Sequence, residues 1–242
     1  MKIQYLHIDY VPEDGWVLSI MGRLLNSPNP RLRKAFDEWS DTPLKELGFA
    51  ITTRIHMLGR CVRRLNAHVA ELREQINKDD EQLGLCLAKS YSFRLPNREL
   101  PYELLLDMDS FIFETRSLYE IMGEFLTSLF QLVFNRKITQ DGLKSLLSDA
   151  GIDTRWTDEL KDARILFFHK TAPWLAVQID QVGKRHNPVL LKRNVITFEN
   201  PVDFIEFSTL REIFERFVDS ASELHRFVLE QIRNAESNST AA

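Results

Sequence analysis

Arg164 and His169 are the residues whose types and spacing best suit chemistry. They flank a wholly apolar run, Ile165 to Phe168, within the stretch Asp162 to Gln178. Five positions apart on a helix, they are near neighbours along the axis rather than stacked on one face. An imidazole titrates near neutral pH and can take a proton from an oxygen or return one. A guanidinium offers a fixed fork of donors to a phosphate and to the charge that grows on it in a transition state. Together they suit phosphodiester cleavage. In RNA the neighbouring 2′-hydroxyl is a ready internal nucleophile, so the reaction does not strictly need a metal. The plainer reading is a satisfied polar pair inside a helical protein. Arg63 and His68 repeat the same spacing in a strongly amphipathic segment, where a solvated face accounts for the arginines.

Other chemistries lack their residues. There is no phosphate-cradling glycine loop, nucleophile elbow, His-Glu-x-x-His pair or CxxC, and the chain has only nine glycines. No metal or cofactor is therefore expected. Cys61 and Cys86 have no ligand spacing and suit a reducing compartment. The net charge of −4 gives no global pull towards nucleic acid or an anionic membrane, so such binding would be local. Two basic clusters are candidates for it: Arg60, Arg63 and Arg64, and Lys184, Arg185, His186, Lys192 and Arg193. Solvated faces are the simpler account of both. No apolar run approaches the roughly 20 residues that span a bilayer, and the N-terminus lacks a signal peptide's apolar core. The expected location is the cytoplasm.

The elements that must position the pair are mostly helices. Residues 1–30 read as a β-hairpin-like extension, with Ile3, Tyr5 and His7 alternating and Trp16 to Ile20 returning after a turn. Pro28 and Pro30 suit a helix start near Arg31 that runs to Trp39. Ile55, Leu58, Val62, Leu65, Val69, Leu72 and Ile76 predict a helix over 53–78. A short helix is expected over 81–90. The most apolar helix is expected over 102–135, with two apolar stripes and one polar line through Asp107, Ser110, Glu114, Ser117, Glu124, Ser128 and Gln131. That line holds solvent or faces another polar site. A short helix ending at Gly151 follows, then one capped by Thr157 or Asp158. Pro173 kinks or divides that pattern, which resumes through Trp174, Leu175, Val177 and Ile179. Residues 189–198 have strand character and could join the N-terminal hairpin. A last helix opens after Asp203, and residues from Asn234 onwards read as a frayed tail, with 236–242 disordered. The expected fold is all-α: about four long helices in a bundle, with short extra helices and a small sheet. Residues 31–235 form a single helical domain.

An apolar helix carrying Asp109-Ser-Phe-Ile-Phe-Glu-Thr-Arg-Ser-Leu-Tyr119, followed by Ala163-Arg-Ile-Leu-Phe-Phe-His-Lys170, resembles the HEPN superfamily. The likeness covers roughly residues 53–182. Its hallmark is an arginine, four to six intervening residues and a histidine. The resemblance implies a metal-independent ribonuclease or RNA-binding protein in a toxin or defence setting. It further implies a homodimer whose two motifs meet in one cleft, with an antitoxin or other protein as partner. It makes Arg164 the phosphate ligand and His169 the proton-transfer residue. Lys170 and Thr171 are adjacent binding candidates, and Glu114 is a candidate to orient Arg164. Active members usually carry Asn, Asp or His after the arginine, where this chain has Ile165. A non-catalytic scaffold or interaction module on the same fold is therefore the alternative.

Overall fold

In the computed structural model, residues 15–78, 94–138, 142–168, 173–180, 185–191 and 204–237 are described. Their order is α1 (Gly15–Leu25), α2 (Pro30–Glu38), a 3₁₀ turn (Trp39–Asp41), α3 (Leu44–Asn77), α4 (Leu100–Phe134), α5 (Gly142–Asp149), α6 (Arg155–Phe168), β1 (Trp174–Asp180), β2 (Arg185–Leu191), β3 (Phe204–Glu206) and α7 (Phe207–Ser237). The protein is mostly helical with one small antiparallel sheet, as expected. Of the expected long helices, α3, α4 and α7 each exceed 30 residues, while α6 has 14.

The apolar periods account for the helices. On α4 the expected stripe is buried from Leu104 through Met108, Phe111, Leu118, Met122 and Phe125 to Leu129. The helix then stops where Asn135 enters the left-handed region at φ 51°, a conformation that asparagine tolerates better than most side chains. Helix α5 ends where the glycine was expected to stop it. Gly151 adopts φ 71°, and the amides of Gly151 and Ile152 donate to Ser148 and Leu147 carbonyls, a Schellman closure. Helix α2 opens on Asn29, whose side chain accepts from Arg31 N–H at 2.9 Å, with Pro30 in the first turn.

Several readings change. Trp16 to Ile20 belong to helix α1, not to a hairpin. Trp16, Val17, Ile20 and Leu24 are buried at helical spacing while Leu18 is exposed, a pattern that five residues read alone could not separate from alternation. The remainder of the hairpin, and the helix expected over 81–90, lie outside the described residues. Helix α3 begins nine residues before the expected start, because Leu44 and Ile51 extend the buried stripe backwards. Trp174 to Asp180 form a strand rather than resumed helix: Leu175, Val177 and Ile179 alternate with period two after Pro173. The sheet order is β1-β2-β3, both pairs antiparallel, with Val177 opposite Pro188 and Leu190 opposite Ile205. Among the described residues β2 pairs with β1 and β3; the N-terminal residues expected to join it lie outside the described residues. Proline brings no N–H to a ladder, and β3 pairing begins at Val189, the next residue, so among the described residues Pro188 has a single neighbouring strand. Last, α7 continues to Ser237 where a frayed tail was expected, because Glu236 is buried and ion-paired with Arg23.

Two compact units divide the chain. The first comprises Met1–His56, Glu120–Leu143 and His225–Ala242. Its core sets Phe125 edge-on to Trp16 and Trp39, with centroids 5.7 and 5.6 Å apart. Gly48 lets α3 approach α1, since a Cβ there would stand 3.0 Å from Val17 Cγ1. Ser19 Oγ lies 2.6 Å from His225 Nε2 and 3.1 Å from the Trp16 carbonyl. Asn29 Nδ2 donates to the Ala235 carbonyl.

The second unit comprises Met57–Tyr119 and Lys144–Leu224. Trp156 is buried at its centre, edge-on to Tyr119 and Phe217 at 5.4 Å each, and its indole N–H donates to Ser220 Oγ at 2.9 Å. Helix α6 starts earlier than the expected Thr157 or Asp158 cap. The Asp153 carboxylate accepts the Arg155 backbone N–H at 2.9 Å and grips its guanidinium. That guanidinium holds the Asp153 carboxyl down, from an ordinary 3.8 to about 2. Any stability the contact provides is thus fully present above pH 3.8 and lost as pH falls through about 2. An NMR titration should find Asp153 at about 2 and Arg155→Ala part of the way back towards 3.8. Titration at the ordinary value in the unsubstituted protein would rule the contact out.

Candidate functional site

A polar seam in the second unit joins α3 to α4. On α3, Arg64 and His68 stand one turn apart on the same face. Opposite them, Asp107 lies on the buried face of α4, its side chain 3% exposed. His68 Nδ1 is 2.8 Å from Asp107 Oδ2, and the Arg64 guanidinium holds Oδ1. A buried carboxylate is tolerable only when paired and hydrogen-bonded, and here each oxygen has a cationic or donor partner. Because a carboxylate only accepts, Nδ1 must carry the proton, which fixes the tautomer and ring orientation of His68. Its Nε2 faces Glu103 Oε2 at 3.6 Å, beyond hydrogen-bonding distance. The His68 side chain is 25% exposed and that of Arg64 57%.

The seam extends both ways. Asn97 Nδ2 donates to Glu71 at 3.0 Å, and the Asn97 N–H donates to Gln75 at 3.2 Å. In the other direction lies Cys61. Burial pushes its thiol up, Arg64 partly opposes this, and the charges of Glu114 and Asp107 reinforce it. Cys61 is thus a poor nucleophile at neutral pH. The polar line read on α4 does face another polar site at Asp107, and Arg64 is more than a solvated arginine.

Comparison finds no match to a protein family, a curated protein or a solved structure.

Arg164 is exposed near the end of α6, and the neighbouring Ile165 is 43% exposed, while Leu160 and Ala163 are buried on the other side. Helix α6 ends at Phe168. His169, Lys170 and Thr171 lie outside the described residues, as do Lys184, Lys192 and Arg193. Glu114 is buried on α4, where its charge acts on Cys61. Arg185 and His186 lie in β2. No group of three or more His, Cys, Asp or Glu side chains among the described residues could hold a metal ion. No helix among them is long and apolar enough to cross a membrane.

Sequence reasoning noted the Arg63/His68 spacing and set it aside as a solvated face. Arg63 precedes His68 by five positions, whereas Arg64, four positions before, shares its face. The i,i+4 spacing and the placement of Asp107 in an apolar helix were the available signals. That the two would meet across 39 positions was not among them.

Proposed function

We propose that the chain is a HEPN-like helical protein that acts on RNA, in a toxin or defence setting, with Arg164 binding the scissile phosphate and His169 transferring the proton. One observation carries the reading. Arg164 is solvent-exposed near the end of α6, and the helix runs through the apolar residues to Phe168, immediately before His169. Lys170 and Thr171 follow directly and supply polar contacts to the substrate. A homodimer that brings two such helix ends together would complete the cleft, and an antitoxin-like protein is the expected partner.

A specific observation favours a second reading, a non-catalytic interaction module. Ile165 presents an apolar side chain to solvent at the position next to the arginine. Such a surface suits a protein partner better than a phosphate.

Cleavage of single-stranded RNA by the full chain in EDTA distinguishes the two. Arg164→Ala and His169→Ala should each slow cleavage by about 100-fold or more. Equal rates in all three proteins, or no cleavage by well-folded wild type, would leave the interaction module as the reading.

A further inference from the structure

We propose that the outer face of α3 and α4 docks an amphipathic helix of a partner protein, one whose apolar stripe is edged by acidic residues. The proposal goes beyond the Arg164/His169 reading, shares no residue with it, and holds whether or not the chain cleaves RNA.

Two observations on the second unit carry it, and the first is apolar. Tyr102, Leu106 and Phe113 recur along α4 at spacings of four and seven, which sets them on one stripe, and they are 70%, 61% and 50% exposed. Leu104, Met108 and Phe111 are buried on the opposite side of the helix, so the stripe faces away from the core. Met57, two turns before Arg64 on α3, adds a fourth exposed apolar side chain, at 43%. Single exposed apolar residues need no explanation, but a group of large ones on one face marks an interaction surface.

The second observation is charge. Arg60 and Arg63 are exposed on α3, while Leu58, Leu65 and Leu72 are buried on its opposite side. The two arginines make no ion pair among the described residues, although Asp and Glu outnumber Lys and Arg by 35 to 31, so the acids that would match them come from elsewhere. Arg60 lies one turn before Arg64, which grips Asp107, the neighbour of Leu106. The arginine ridge of α3 and the apolar stripe of α4 therefore run side by side on the outer face of the pair. Two such ridges with a groove between them are where a third helix packs. Apolar residues of that helix cover Leu106 and Phe113, and carboxylates along one edge reach Arg60 and Arg63. A nucleic acid suits the face less well, because Leu106 and Met57 offer a phosphate nothing and Glu103, exposed on α4, repels it.

The test measures binding of two synthetic helical peptides to the full chain by fluorescence anisotropy, with circular dichroism as a fold control. Both peptides carry leucine along one face; one has glutamate along an edge of that face and the other has lysine. The glutamate peptide should bind at least about tenfold more tightly than the lysine peptide. Arg60→Glu combined with Arg63→Glu should reverse that preference, which a loss of fold would not do. Leu106→Glu should weaken both peptides by about tenfold or more. Failure of the glutamate peptide to bind, or binding that none of these substitutions changes, overturns the proposal. A dimer in sedimentation that Leu106→Glu dissociates assigns the face to a second copy of the chain and overturns it too. So does an RNA oligonucleotide that binds more tightly than the glutamate peptide and is released by the Arg60/Arg63 substitutions, an outcome that leaves the RNA reading standing.

Discussion

Replacing Arg64 and His68 together by alanine should lower the unfolding free energy by about 3–5 kcal/mol at neutral pH, measured by urea denaturation. The effect is large because of what remains. Asp107 stays buried in α4 with both oxygens stripped of their partners, and an unpaired buried charge costs far more than the pair was worth. Each single alanine variant should lose less, since one partner remains, so the two losses will not add. Adding Asp107→Leu to the double variant should recover most of the loss, because the charge goes and an apolar side chain takes its place on the buried face of α4. A triple variant as unstable as the double would show that α3 packing, rather than the stranded carboxylate, sets the cost.

Trp156→Ala should cost a comparable amount, about 3–5 kcal/mol. This indole is fully buried, meets Tyr119 and Phe217 edge-on, and donates to Ser220. Alanine removes the ring, both aromatic contacts and the bond at once. Ser220→Ala keeps the ring but leaves a buried N–H without its acceptor, for an expected loss of about 1–3 kcal/mol. Chemical denaturation of both variants checks the pair. A loss below about 1 kcal/mol for Trp156→Ala would mean that the core does not close around this ring.

The elements that sequence reasoning located well share one property: a periodic signal long enough to exclude alternatives. Helix α4 carries the apolar stripe for its full length and was placed within two residues at each end. The stop of α5 was legible because Gly151 could adopt a left-handed conformation that few other residues tolerate. Short apolar runs were ambiguous. Trp16 to Ile20 and Trp174 to Asp180 span five and seven residues, and each was given the other's structure. In runs that brief, helix and strand differ by where one or two side chains fall. The end of α7 was misread for another reason. Its polar residues suggested fraying, but Glu236 is buried through a contact with Arg23, 213 positions earlier.

The same distinction governs the site. The types and local spacing of Arg64 and His68 were visible, and so was a polar line on α4 that might face solvent or another polar group. What made a site of them was the crossing of two helices, which local pattern does not encode. Asp107 selects Arg64 over Arg63 because four residues, and not five, return a side chain to one face of a helix.

The contacts that fasten the first unit also set an order of events during synthesis. Ser19, Arg23 and Asn29 are held by His225, Glu236 and Ala235, each more than 200 positions later. At roughly 5–20 residues per second, α1 therefore waits on the order of 10–40 s for its last partners to be made. Throughout that interval Trp16, Ile20 and Leu24 lack the late-made part of their cover. The nascent chain should consequently depend on a holdase that masks apolar helices, and a ribosome stalled before residue 225 should display α1 to a protease that spares it in the finished protein.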